Sequence, residues 1–207
     1  MRIGLSTFVA VLLLSVPASP VQAQSLASYG IEAGFTSSSV STNMFADEIE
    51  RREGLSAVAF AEWFDMSYFS LLTELGYTQR GYSRTVEVRN PQGERLGTEE
   101  RSTRFDYLTV AALAKLQYPG SALKPYAVAG PRSDVLLGGA PSNLVTDQYD
   151  TLAFGGTIGA GVELSRRLLP VPVFLEVRYN ADATNSLSCC PRDMSNRAFD
   201  ILLGIEL

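Results

Sequence analysis

The chain has 207 residues, 17 basic and 22 acidic, with no histidine and a net charge of −5. The length suits one domain after loss of a leader, and an acidic chain without a basic run argues against nucleic acid as a partner. Lack of histidine removes the commonest general base and metal ligand, which excludes Ser-His-Asp and Cys-His catalysis outright.

Met1 and Arg2 form a short basic start, followed by an uncharged, largely apolar stretch over residues 3–16. Pro17, Ala18, Ser19 and Pro20 lead to the small-residue pattern Val21-Gln22-Ala23. This is the layout of a secretory signal peptide over residues 1–23, cleaved after Ala23. The apolar stretch is shorter than the roughly 20 residues of a spanning helix. No cysteine marks a lipid anchor at the cleavage site, and no later segment has the apolar length of a transmembrane helix. Residues 24–207 are expected to form one domain.

That domain alternates apolar with polar or small residues in about eight runs, the period of a strand with two different faces. In run 29–36, Tyr29, Ile31, Ala33 and Phe35 oppose Gly30, Glu32, Gly34 and Thr36. Run 55–64 is ambiguous, because Ala57, Ala59 and Ala61 fit either face. In run 69–78, Phe69, Leu71, Leu75 and Tyr77 oppose Ser70, Glu74, Gly76 and Thr78. In run 108–117, Leu108, Val110, Ala112, Ala114 and Leu116 oppose Thr109, Ala111, Lys115 and Gln117. Run 125–137 is ambiguous too, with Gly130, Arg132 and Asp134 expected inward. Run 152–164 sets Leu152, Phe154, Ile158, Val162 and Leu164 against small residues and Glu163. Its glycines leave room in a narrow interior. Run 171–180 is the clearest, with Val171, Val173, Leu175, Val177 and Tyr179 against Phe174, Glu176, Arg178 and Asn180. The last run, 199–207, opposes Phe199, Ile201, Leu203, Ile205 and Leu207 to Asp200, Leu202, Gly204 and Glu206.

One such run fits a soluble sandwich as well as a membrane strand. The connections discriminate. Segments 37–53, 83–104, 138–149 and 181–196 are long, while 64–67, 119–124 and 165–170 are short. Strict long–short alternation belongs to outer-membrane barrels, with long external loops and short periplasmic turns. Within 83–104, Asn90-Pro91-Gln92-Gly93 suits a type I turn, so the third and fourth strands are expected to project as a hairpin. Trp63, Phe64, Tyr68, Phe69, Tyr118 and Tyr126 gather near the short turns, and Tyr77, Tyr82, Tyr107 and Tyr179 near the long connections. Two aromatic girdles are expected of such a barrel. The predicted fold is all-β, an eight-stranded antiparallel up-and-down transmembrane β-barrel.

The chain resembles the outer-membrane beta-barrel domain family, sometimes called PorT-like, of Gram-negative bacteria. The resemblance is carried by Tyr29-Gly30-Ile31-Glu32-Ala33-Gly34 in the opening strand and by Glu74-Leu75-Gly76-Tyr77-Thr78-Gln79-Arg80-Gly81. It continues through Phe105-Asp106-Tyr107-Leu108, Lys124-Pro125-Tyr126, Gly159-Ala160-Gly161-Val162-Glu163 and Leu175-Glu176-Val177-Arg178-Tyr179. It implies a barrel of the OmpA/OmpX kind in the outer membrane, surrounded by its lipid and inserted by the barrel-assembly machinery. It implies no enzyme. The chain departs from the pattern at Val110-Ala111, where the family often has proline, and at Leu207, where barrels often end in phenylalanine.

The expected inward charges are Glu32, Glu74, Lys115, Arg132, Asp134, Glu163, Glu176, Arg178, Asp200 and Glu206. An eight-stranded barrel is just wide enough for side chains to fill, and buried charge must be paired. A polar core that holds register is the leading reading. A narrow ion or proton path and a catalytic carboxylate pair are the sharper ones. Cys189 and Cys190 are adjacent, which rules out the usual zinc spacing. Export favours oxidation, and neighbouring Cα atoms about 3.8 Å apart fall below the usual disulfide range. A strained vicinal bridge, free or modified thiols, and intermolecular bonds all stay open. The charged segment 37–53 is a solvated loop or a contact surface for lipopolysaccharide, calcium or a partner. No cofactor or metal site is expected. The expected role is structural, or binding of envelope partners through the long loops, with a soluble lipocalin-like barrel holding an apolar ligand as the alternative.

Overall fold

The computed structural model describes residues 26–42, 49–64, 66–120, 122–140, 151–165, 170–184 and 194–207. The expected signal peptide and both cysteines lie outside them, as do Asp47 and Glu48 of the first long connection. Eight antiparallel strands follow one another: β1 (Leu26–Thr42), β2 (Ile49–Trp63), β3 (Phe69–Arg89), β4 (Arg95–Gln117), β5 (Leu123–Ala140), β6 (Leu152–Leu164), β7 (Val173–Asp182) and β8 (Met194–Glu206). Each pairs with the next, and β8 returns to β1 through Gly30↔Glu206 to Thr42↔Met194, closing the barrel. Closure leaves no edge inside the barrel wall, the condition for crossing a bilayer with strands.

The alternation read from the sequence sorts the two faces. Phe35, Leu75, Ile158, Leu203 and Ile201 are exposed on the outside, while Glu32, Glu74, Arg132, Asp134, Glu176 and Arg178 are buried within. A soluble lipocalin-like barrel would show the reverse, so the apolar face is a lipid face. Both ambiguous runs resolve by pairing. Glu32↔Val58 and Gly30↔Phe60 place Val58 and Phe60 inside with their β1 partners, which leaves Ala57, Ala59 and Ala61 outside. Arg132 and Asp134 point inward as expected.

The strands run further than the alternation alone suggests. Residues 37–42 and 49–53, expected in a loop, belong to β1 and β2. There the outward positions Ser37, Ser39 and Glu53 turn polar, since above a membrane an outward residue meets water, while Val40 stays buried inside. The same reason extends β7 to Asp182 and starts β8 at Met194. Strand β7 begins at Val173 rather than Val171. The hairpin of β3 and β4 projects as predicted. Strand β2 follows β3 only to Arg84, and β5 follows β4 only to Arg104. The two strands continue alone to a turn in which Gly93 N donates to Asn90 O at 2.9 Å. Asn90 Oδ1 accepts from Gln92 N and Glu94 N at 3.1 and 2.8 Å, and Gly93 supplies the positive φ of 88° that closes the turn.

The aromatic girdles are thinner than expected. Tyr68, Tyr118, Tyr77 and Tyr179 face outward, but Tyr82, Tyr107 and Tyr126 are buried in the lumen. Their positions near strand ends concealed that they share the inward parity of Arg80, Thr109 and Val128.

Candidate functional site

The lumen is layered along its axis. At the short-turn end, Lys115 Nζ lies 3.0 Å from Glu62 Oε2 and 3.7 Å from Glu163 Oε2, and Lys124 Nζ lies 2.8 Å from Glu163 Oε1. Gln117 also donates to Glu163. These groups, with Ser28 and half-exposed Glu206, surround an open polar vestibule of about 130 Å³.

Above it sits an apolar layer of Phe60, Leu72, Ala111, Leu113, Tyr126, Val128 and Phe174. Phe60 and Phe174 meet edge to face, with ring centres 5.5 Å apart, a favourable geometry for the two quadrupoles. Glycines make this layer possible. Tyr126, Gly161 and Glu176 stand in register on β5, β6 and β7. The phenol ring lies across Gly161, where a Cβ would come within 2.4 Å of the Tyr126 Cζ. It thereby reaches over one strand to donate to Glu176 Oε2 at 2.8 Å. Phe174 covers Gly204 in the same way. Lys115 Nζ lies 5.0 Å from the Tyr126 ring centre and links this layer to the vestibule.

The centre is Arg178. Its Nη2 is 2.7 Å from Glu32 Oε1, its Nη1 is 2.9 Å from Glu74 Oε2, and its Nε bonds Glu176. Three carboxylates on three strands thus converge on one guanidinium. Toward the long-loop end a second cluster follows. Arg80 Nη1 lies 2.7 Å from Asp134, which also accepts from Thr109 at 2.6 Å. Arg132 pairs with Asp182 at 2.5 Å and approaches Asp134 at 3.0 Å, with an angle outside that of a hydrogen bond. Asn180 donates to Asp200 and Asn196 to Asp182. Val40, Tyr82, Phe105 and Tyr107 then cap the lumen, with Arg80 5.5 Å from the Tyr107 ring centre. Cavities of about 20 Å³ flank Arg178 on its two sides, each of about one water's size.

Nine of the ten predicted inward charges are therefore buried in the lumen, and Glu206 stands at its mouth. Sequence reasoning missed Arg80, Glu62 and Asp182. Carrying the parity of Glu74, Gly76 and Thr78 two residues on finds Arg80, and carrying that of Arg178 and Asn180 finds Asp182. Glu62 lay in the ambiguous alanine run. No group of three or more potential metal ligands occurs among the described residues.

A closed barrel with an apolar coat, a charged interior and alternating short and long connections defines the outer-membrane class of β-barrels. The chain belongs to the outer membrane protein beta-barrel domain family, whose profile matches residues 22–186. Neisserial surface protein A is 15% identical, with 86% of this chain and 97% of that one covered at a TM-score of 0.48. OprG from Pseudomonas aeruginosa is 11% identical over 89% of this chain and 97% of that one, at 0.47. The outer membrane enzyme PagL is 17% identical over 84% and 98%, at 0.44. No curated protein matches the chain in sequence.

Proposed function

We propose that this outer membrane barrel is neither an enzyme nor a pore. It acts as a structural or binding module through its long-loop end, with outer-membrane lipid around it and other envelope proteins as partners. The observation that carries this reading is the Arg178 layer, in which a fourfold-bonded guanidinium and three carboxylates stand between two aromatic layers. A solute crossing the lumen would have to break those charge-assisted bonds and displace Phe60, Phe174 and Phe105 together. A scaffold gains from the same arrangement, because a polar network bonded across several strands rigidifies a narrow barrel. The projecting hairpin offers a surface for partners, exposed on both faces from Arg95 to Ser102. The absence of histidine from the chain leaves acid–base work to carboxylates, and in the lumen Glu32, Glu74, Glu176, Asp134, Asp182, Glu62 and Glu163 are engaged by arginine or lysine.

The test has two arms. Purified protein in a planar bilayer is expected to give no large stable openings; such openings would overturn the closed-lumen reading. A photocrosslinker at Glu99, tried in whole cells, is expected to capture an envelope component. Capture that persists equally when the probe stands on the lipid face at Ile158 would remove the hairpin's claim to be the binding surface.

A further inference from the structure

The short-turn half of the lumen holds more carboxylates than its cations neutralise. At its upper end, Glu32, Glu74 and Glu176 converge on Arg178 alone. At its mouth, Glu62, Glu163 and Glu206 stand with Lys115 and Lys124. Each level is short of positive charge, and a buried carboxylate without a counter-charge is costly. At the upper level the shortfall falls on one atom. Glu32 is 3% exposed, and its Oε1 is held by Arg178. Its Oε2 has no hydrogen-bond partner among the described residues.

Glu32 is approached from the periplasmic side, where the short turns of such a barrel lie. The cavity of about 20 Å³ below Arg178 is lined by Glu32, Phe60, Leu72 and Phe174. It shares Glu62, Glu163 and Glu206 with the open vestibule of about 130 Å³, so the two spaces adjoin. Strand register sets the character of the passage. Glu32 pairs with Gly204, which the Phe174 ring covers, and Glu206 pairs with Gly30, which the Phe60 ring covers. Between the two carboxylates the wall is therefore aromatic. Glu206 lies two positions along β8 from the level of Glu32, about 7 Å of strand.

A ligand suited to this passage is cationic at both ends and apolar between them. A bare inorganic cation would lose its hydration against the rings, and no group of three metal-ligating side chains occurs among the described residues to replace it. A primary ammonium carries three donors and is attracted to aromatic faces. The narrow cavity, of about one water's size, suits such a head on an unbranched stem. We infer that the short-turn half of the lumen is a binding site for a small aliphatic diamine taken from the periplasm. One ammonium meets Glu32 Oε2, and the other meets Glu206 and Glu62 in the vestibule. A stem of about four methylene groups, which holds the nitrogens about 6 Å apart, lies along Phe60 and Phe174. The site is blind, because Arg178 closes it above, so its occupation leaves the lumen closed.

Titration calorimetry of the full-length protein in a neutral detergent, with diaminobutane bearing its amines at the two chain ends, tests this. The wild type is expected to show one saturable site. Butylammonium has the same stem and one charge, and is expected to bind about tenfold more weakly, the loss of one charge-assisted contact. Butanediol, which has no charge, is expected not to bind. E32Q and E206Q are each expected to lose about tenfold. E53Q removes a carboxylate from the long-loop rim and is expected to bind as the wild type does. Heat-modifiable gel migration verifies that each variant is folded; an unfolded E32Q leaves the test to E206Q at the mouth. No saturable binding of the diamine, equal affinity for butylammonium, or equal loss in E53Q overturns the site. So does displacement of the diamine by magnesium at lower concentration than the diamine itself, since that assigns the carboxylates to an inorganic ion.

Discussion

Arg178 is the residue on which most of the interior depends. Its guanidinium is bonded by Glu32, Glu74 and Glu176, all of them buried. Buried ion pairs contribute little over a well-packed apolar core, yet removing one partner strands the others without compensation. Arg178→Met fills similar volume and leaves three carboxylates facing one another. The expected loss is about 3–5 kcal/mol, read by urea unfolding in detergent through the fluorescence of Trp63, the sole tryptophan. Adding Glu74→Gln to that variant should restore part of the loss, because one repelling charge is gone. A stability for Arg178→Met within about 1 kcal/mol of wild type would mean that the cluster contributes no more than any surface pair.

At the scale of the strands, register is set by pairing a large ring with a glycine on the neighbouring strand. Phe60 lies over Gly30, Tyr126 over Gly161 and Phe174 over Gly204. The lumen has no room for two side chains abreast, so each ring takes the space of its neighbour. Gly161→Val would drive the Tyr126 ring off Glu176 and is expected to cost about 1–3 kcal/mol, as overpacking does. The double change with Tyr126→Ala should be less damaging than the sum of the two, which unfolding midpoints can show. These pairs explain what could be read from the sequence and what could not. Period-two alternation showed which face Glu176, Arg178 and Asp200 take, because lipid permits no charge on the other. It was silent at Ala57, Ala59 and Ala61, which suit either environment, and so Phe60 and Glu62 went unplaced. It also failed at Tyr82, Tyr107 and Tyr126. An aromatic side chain suits a girdle and a lumen equally; the glycine opposite tells them apart at Tyr126, and the inward parity of Arg80 and Thr109 does so at Tyr82 and Tyr107.

The whole molecule divides into a barrel and a ribbon, and the two are stabilised differently. Within the barrel every strand has two partners, and lumen layers tie strands across the axis, as Arg178 ties β7 to β1 and β3. Beyond Arg84 and Arg104 the hairpin has only its own ladder, from Thr85↔Glu100 to Arg89↔Arg95. Its side chains from Arg95 to Ser102 are exposed, and its ion pair of Arg95 with Glu87 is a surface contact of small value. An isolated two-stranded ribbon is marginal in water, and this one draws its order from the rim that launches it. Stability should therefore not flow back from the ribbon to the barrel. Replacing residues 85–100 with a two-residue Asn-Gly turn joins the paired Arg84 and Arg101, keeps the β3–β4 ladder of the wall and removes about 25 Å of projecting strand. The shortened protein is expected to fold, to keep its heat-modifiable migration and to unfold at the wild-type urea midpoint. It should lose any envelope partner captured through the hairpin. A collapse of the urea midpoint would show instead that the ribbon takes part in closing the barrel, and would withdraw it from the role of an independent binding arm.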